Sequence, residues 1–97
     1  MISPIIGVSY DDQDLAGATL DNKYINVSFR RTQLTDAHLP GEFYDCDFRD
    51  ANLCGANLTG GKFIADFRGS NLTDHQKAQA ITMTFIELPD TRGTQAR

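Results

Sequence analysis

Three arginines and two aspartates of this chain stand at spacings that could build a charged site. Arg30, Arg49 and Arg68 follow one another at intervals of 19 residues, and Asp47 and Asp66 each lie two residues before an arginine. Guanidinium and carboxylate groups form bidentate ion pairs, so alternating rows of the two predict a surface charge network that fixes how the chain stacks. The arginine column is also a candidate site for an acidic or phosphate-bearing partner. The sequence leaves both interpretations open.

A second candidate site lies in the acidic half of the chain. Residues 11–50 contain nine acids and four bases, whereas residues 51–97 contain four acids and five bases. The densest stretch runs from residue 42 to residue 50. A solvated surface would explain this stretch, and so would a surface that contacts a basic partner. The residues predicted for such a contact are Asp36, Glu42, Asp45, Asp47, Asp50 and Asp66.

Catalytic and metal-binding chemistry is not indicated by the remaining reactive residues. His38, His75, Cys46 and Cys54 are the histidines and cysteines of the chain, and they do not stand at the spacing of zinc ligands. Catalysis needs a nucleophile with a base, or a paired acid and base in a cleft, and the sequence offers no such set. We therefore expect a protein that is not an enzyme, with no cofactor and no metal site.

The elements that position these residues follow from an internal repeat. Residues 51–60 read ANLCG ANLTG, two nearly identical blocks of five centred on Leu53 and Leu58. A shift of 19 residues superposes large apolar residues along the chain. Extending the five-residue frame gives the other inward-pointing centres Leu15, Leu20, Ile25, Phe29, Leu34, Leu39, Phe48, Phe63, Phe67 and Leu72. The residue two positions before most centres is small, because both would share the inward side of a short extended segment.

A five-residue period fits neither a helix nor a long strand. It is typical of a chain that turns a corner after every block, so that four blocks close one coil and successive coils stack about 4.8 Å apart. In this frame Cys46 points inward, whereas Cys54 and His38 point outward, and the two cysteines are not expected to pair. Either Phe43 or Tyr44 could be the inward centre of its block.

These residues resemble the pentapeptide repeat family, whose consensus is A(D/N)LXX. The resemblance covers roughly residues 13–74 and is strongest over residues 51–60. It implies an all-β solenoid, a right-handed quadrilateral β-helix of about four coils. Gln13 and Lys23 depart from the pattern, since both stand at positions that should be small.

Terminal segments are expected to cover the two ends of the solenoid. The predicted boundaries are residues 1–12 for an N-terminal cap, 13–73 for the repeats, 74–89 for a C-terminal cap and 90–97 for a tail. Thr73 and Gln76 form a capping-box pattern that begins a short helix, with Ala78 and Ile81 on one face. The extended segment that follows is predicted to cover the end of the solenoid with Phe85, Ile86 and Leu88.

Composition limits the class of function. The net charge is −4 and the pI is near 4.8, so repulsion would oppose direct binding to nucleic acid or to an anionic membrane. No apolar stretch reaches the roughly 20 residues that a membrane span needs, and the first residues do not have the pattern of a signal peptide. We expect a cytoplasmic protein whose partner is another protein, and which is either a monomer or an end-to-end homodimer.

The family resemblance also implies a function. Some pentapeptide repeat proteins resemble duplex DNA in shape and charge, bind DNA gyrase and modulate quinolone action. By this resemblance the chain is expected to be an inhibitor that mimics duplex DNA. Its target would be an enzyme with a basic DNA-binding surface, either a gyrase-type topoisomerase or a nuclease or CRISPR-type complex. The alternative is a generic interaction scaffold or effector domain unrelated to nucleic acid.

Overall fold

Short extended segments, repeated at a nearly constant interval, build this fold as a stack of coils. The structure is a computed structural model that describes residues 3–89. Within these residues one short helix, α1 (Asp74–Gln79), precedes the last strand. The strands are parallel and neighbour one another in chain order: β1 (Ile5–Ile6), β2 (Lys23–Ile25), β3 (Glu42–Asp47), β4 (Lys62–Asp66) and β5 (Thr82–Phe85).

Each coil is closed by three further faces beside this sheet. In the sheet, Tyr24 lies opposite Phe43, which lies opposite Phe63. The other faces are joined by isolated parallel bridges at the 19-residue spacing, in the columns Ser9–Ser28–Asp47, Asp14–Gln33–Asn52 and Thr19–His38–Asn57. The predicted fold class is confirmed, because the chain is a parallel β-solenoid of about four turns with a short helix near its C-terminal end.

Aromatic rings fill one half of the interior and leucines fill the other. The aromatic stacks are Tyr24–Phe43–Phe63 and Tyr10–Phe29–Phe48–Phe67, with successive ring centroids 4.7 to 5.3 Å apart. Rings of one stack meet those of the other edge-on, as Phe43 and Phe48 do at 5.5 Å. The leucines Leu34, Leu53, Leu39 and Leu58 are fully buried. These continuous apolar columns tie each coil to the next.

The five-residue frame was wrong for the block of the second coil. It predicted Ile25 as the inward residue, but Tyr24 is inward and 4% exposed, while Ile25 is half-buried. The ring of Tyr24 stacks on Phe43 with an interplanar angle of 7°. The chain takes up the extra residue after the strand, where Asn26 adopts a left-handed φ of 55°.

The structure settles the choice between Phe43 and Tyr44, because one coil later the chain again takes up its extra residue after the inward aromatic residue. Phe43 is fully buried, and Tyr44 lies on the outer side, where its hydroxyl donates to Glu42 at 2.6 Å. The register between β3 and β4 shifts between Tyr44 and Cys46, and Asp45 between them has a φ of 54°. This bulge lets a six-residue strand pair with a five-residue one.

The N-terminal segment joins the solenoid in the register of the later coils. Ile5 of β1 pairs with Tyr24, and the ring of Tyr10 stacks on Phe29 at 5.3 Å. The inward residues of this first coil pack against the core but are partly exposed: Ile5, Tyr10, Leu15 and Leu20.

The C-terminal helix begins as predicted and covers the last coil with a different residue. Thr73 and Gln76 form the capping box, which confirms that prediction. Ala78 lies on the solvent side of α1, Ile81 lies beyond its end at Gln79, and both are exposed. The buried residue of α1 is Gln76, so the expected apolar face was wrong.

The extended segment after α1 covers the last coil only in part. Met83 of β5 lies opposite Phe63 and packs against the core. Phe85 meets Phe67 edge-on at 5.9 Å but remains 51% exposed, whereas Ile86 and Leu88 are half-buried. The predicted tail, residues 90–97, lies outside the described residues.

Candidate partner-binding face

Two Asp–Arg pairs of identical geometry stand on neighbouring coils. Arg49 contacts Asp47 through Nη2 to Oδ2 at 2.7 Å and Nε to Oδ1 at 3.0 Å. Arg68 contacts Asp66 through the same atoms at the same two distances. In each pair the main-chain N–H of the arginine also donates to the aspartate, which fixes the carboxylate over the turn.

Contacts between coils join these pairs into a network. Nε of Arg49 lies 3.6 Å from Asp66, and Nε of Arg30 lies 3.9 Å from Asp47. Asp66 is fully buried and Asp47 is 7% exposed. We call this the charged face and define it by the outward side chains Asp11, Arg30, Asp47, Arg49, Asp66 and Arg68. The alternation of charge predicted from the sequence is therefore present, and it offsets the repulsion within the arginine column.

The carboxyl group of Asp66 stays ionised despite its burial. Burial by itself would raise the pKa of Asp66. Hydrogen bonds from the Arg68 guanidinium and from the main-chain N–H groups of Leu88 and Arg68 outweigh this effect and lower the pKa of Asp66 to about 2.

Arg30 differs from the other arginines of the face because its own coil lacks the aspartate. Ser28 stands at that position, and its hydroxyl donates to Asp11 at 2.5 Å. The Nε atom of Arg30 is buried and has no hydrogen-bond partner among the described residues. It lies at a groove of about 340 Å³, which is lined on this face by Asp11, Ser28, Arg30, Asp45, Asp47 and Arg49.

The predicted acidic residues do not all share one face. Asp45 and Asp50 are exposed at left-handed turns that flank the charged face, with φ of 54° and 60°. Together with Asp47 and Asp66 they form one charged surface. Short polar residues tolerate this left-handed backbone, so the turns themselves favour aspartate there.

The other two acids of the predicted set lie elsewhere. Asp36 sits at a turn beyond the next face, against Gly55 of the following coil. Glu42 is on β3, between Lys23 and Lys62 of the adjacent strands. The hydrogen bond from the Tyr44 hydroxyl lowers the pKa of Glu42, and the positive charges of these two lysines lower it further.

Two features of this surface were missed by the sequence reasoning. Asp11 accepts hydrogen bonds from Ser28 and from the main-chain N–H of Arg30. A signal was available, because Asp11 stands 19 residues before Arg30 and so begins the arginine column with an opposite charge. The second feature is the contact of the Leu88 main chain with Asp66 and Arg68, for which no side-chain pattern exists.

The histidines and cysteines lie apart from this surface. His38 and His75 are exposed, and no three potential metal ligands cluster anywhere in residues 3–89. Cys46 is buried and Cys54 is exposed, and both are free, as predicted. Burial raises the pKa of the Cys46 thiol to about 11, which keeps it protonated. Over the same residues, no helix has the length and apolar character needed to cross a membrane.

Comparisons with known proteins agree with this architecture. A sequence profile described as "Pentapeptide repeats (8 copies)" matches residues 42–64. A pentapeptide repeat protein from the Arabidopsis thaliana thylakoid lumen superposes with a TM-score of 0.54 at 22% identity, covering 74% of this chain and 73% of that one.

A second solved structure is QnrB1, a plasmid-mediated fluoroquinolone resistance protein. It has a TM-score of 0.46 and 22% identity, and the match covers 70% of this chain and 47% of that one. A comparison with curated protein sequences finds no significant match. The repeat profile falls on the β3–β4 coil, so the chain carries pentapeptide repeats there and shares its solenoid fold with pentapeptide repeat proteins.

Proposed function

We propose that this protein is a non-catalytic binding module that contacts a protein with a basic surface through the exposed acids that flank its charged face. The observation that carries this proposal is the position of Asp45 and Asp50. Both carboxylates are exposed on left-handed turns, Asp45 at the groove and Asp50 directly after Arg49, and neither has an ion-pair partner among residues 3–89. The central acids Asp47 and Asp66 are already held by arginines, so the flanking acids supply the charge that a partner would meet.

A finer form of the proposal is inhibition of a DNA-binding enzyme by mimicry of duplex DNA. The net charge of −4 supports it, since negative charge favours entry into a basic groove. The arginine column argues against mimicry of DNA, because its positive charges lie between the acidic residues and interrupt the negative surface. The runner-up is an interaction scaffold whose partner has no link to nucleic acid.

The test compares the native chain with Asp45→Lys/Asp50→Lys. DNA gyrase and a panel of basic nucleases are the targets, with inhibition of supercoiling or cleavage as the readout at low and moderate ionic strength. We expect the native chain to inhibit at least one enzyme, the double variant to lose that inhibition, and added salt to weaken it.

Asp36→Lys/Asp74→Lys is the matched control, because it makes the same charge change on exposed residues away from the charged face. Unchanged inhibition by Asp45→Lys/Asp50→Lys would contradict the assignment of the face. Inhibition by none of the enzymes would contradict mimicry and favour the scaffold.

A further inference from the structure

The chain binds both main-chain polar groups of one of its own residues with an Asp–Arg pair. The main-chain N–H of Leu88 donates to Oδ2 of Asp66 at 2.9 Å, and Nη2 of Arg68 donates to the carbonyl of Leu88 at 3.0 Å. Side chains thus hold both main-chain groups of one extended residue, where a neighbouring strand would normally do so. The pair is a small receptor for an extended peptide backbone.

Asp47 and Arg49 repeat this receptor one coil away. Their ion-pair distances equal those of Asp66 and Arg68, and both side chains line the groove. The Asp47 side chain is 10% exposed and the Arg49 side chain is 12% exposed. Within residues 3–89, no main-chain group takes the position at this pair that Leu88 takes at Asp66.

The adjoining segment is poorly suited to fill that position. Leu88 and Pro89 line the groove, so the chain reaches it. Pro89 has no amide hydrogen to donate to Asp47.

Resting on the proposed function, we propose that this groove binds an extended peptide segment of the partner protein. One residue of the segment donates its N–H to Asp47 and accepts from Arg49 at its carbonyl. Arg30, whose Nε atom lies 3.9 Å from Asp47, lines the same groove beside the bound segment. Asp45 at the border of the groove favours a lysine or arginine side chain on the peptide.

The probe is the blocked peptide TFIKLK, which copies Thr84–Leu88 with Glu87→Lys and one added lysine. NMR spectra of the ¹⁵N-labelled full chain follow the Nε–H signals of Arg30 and Arg49 during titration. We expect saturable shifts of both signals. A control peptide with N-methyl-leucine lacks the donated hydrogen and should bind at least about tenfold more weakly.

Protein variants separate this site from general charge attraction. Arg49→Gln should weaken binding of the probe at least about tenfold. Arg31→Gln makes the same charge change at a turn outside the groove, where Arg31 pairs with Asp12, and should leave binding unchanged. Retained chemical-shift dispersion shows that each variant is folded.

Equal affinity for the N-methylated peptide, or no shift of the Arg30 and Arg49 signals, would overturn the inference. Shifts of these two signals that depend on protein concentration without the probe would also overturn it, because they would indicate that a second copy of the chain binds. Nuclear Overhauser contacts between residues 90–97 and Arg49 in the free chain would overturn it as well. If one of these occurs while enzyme inhibition still depends on Asp45 and Asp50, only the peptide site fails. If inhibition does not depend on Asp45 and Asp50 while the probe binds as expected, only the assignment of these two acids to the partner contact fails.

Discussion

At the scale of single residues, the charged face shows how a solenoid keeps carboxylates in a buried position. Asp66 receives two hydrogen bonds from main-chain N–H groups and a bidentate contact from Arg68. Removing water from an ion costs several kcal/mol, so such a group persists only where its lone pairs are occupied. Asp66 meets this condition through Leu88, a residue that lies 22 positions later in the chain. The pair thereby attaches the C-terminal segment to the repeats.

The depressed pKa of Asp66 predicts a loss of stability in acid. Because the folded-state pKa of Asp66 is about 2, below the ordinary value of 3.8, the stabilisation is complete above the unfolded-state pKa and disappears as pH falls through the folded-state pKa. The difference corresponds to about 2 kcal/mol of unfolding free energy, lost between about pH 4 and about pH 2. Urea unfolding followed by circular dichroism at a series of pH values measures it.

Asp66→Asn should remove that part of the acid dependence and destabilise the protein at neutral pH by about 3 kcal/mol, because Arg68 loses its partner. Asp74→Asn is the control, since the side chain of Asp74 is 99% exposed. An acid dependence in Asp66→Asn as steep as that of the native chain would show that other carboxyl groups cause it.

At the scale of elements, α1 is held by the solenoid and not by its own helical stability. A helix of six residues is far below the length at which isolated helices form. Its buried residue, Gln76, donates to the carbonyls of Leu53 and Ala56 and accepts from the N–H of Thr73. These carbonyls face the end of the stack, where no further coil supplies a donor. The helix therefore closes the stack by hydrogen bonding more than by apolar cover.

Gln76→Leu is expected to destabilise the protein by about 3 kcal/mol, because the Ala56 carbonyl and the Thr73 N–H lose their partner and the Leu53 carbonyl keeps only the N–H of Ala56. The measurement is the midpoint of urea unfolding, with amide exchange of the last coil as a local readout. His75→Leu on the exposed side of α1 should change stability by less than about 0.5 kcal/mol. Equal effects of the two substitutions would contradict the role of Gln76.

The sequence predicts an element well where its apolar residues recur periodically, and poorly where main-chain contacts determine its position. The ladders of Leu34, Leu53 and Phe48 follow from the 19-residue shift, because each needs one apolar residue per coil. Tyr24 was missed because its block takes up the extra residue after the strand, at the left-handed Asn26, and composition does not show at which end of a strand such a residue lies. The charged face was predicted from its side chains, whereas the role of the Leu88 main chain depends on groups that every residue has.

At the scale of the whole molecule, each coil touches only its neighbours, so stability is close to a sum over adjacent coils. The central coils bury their centres completely, as at Leu53, whereas Leu15 in the first coil is half-buried. A substitution in the middle breaks two interfaces, and one at the end breaks a single interface. Position along the stack should therefore matter more than the residue type that is lost.

Leu53→Ala is expected to cost about 3 kcal/mol and to weaken the interfaces on both sides of its coil, while Leu15→Ala should cost about 1 kcal/mol. Amide hydrogen exchange resolves the two, because the Leu53 variant should lose protection in its own coil and in the coils on both sides, and the Leu15 variant mainly in the first. Leu53 and Leu15 belong to one column, so the pair tests position with the chemistry held constant. Equal costs with the same exchange pattern would mean that the solenoid folds as a single cooperative block, with no independent end.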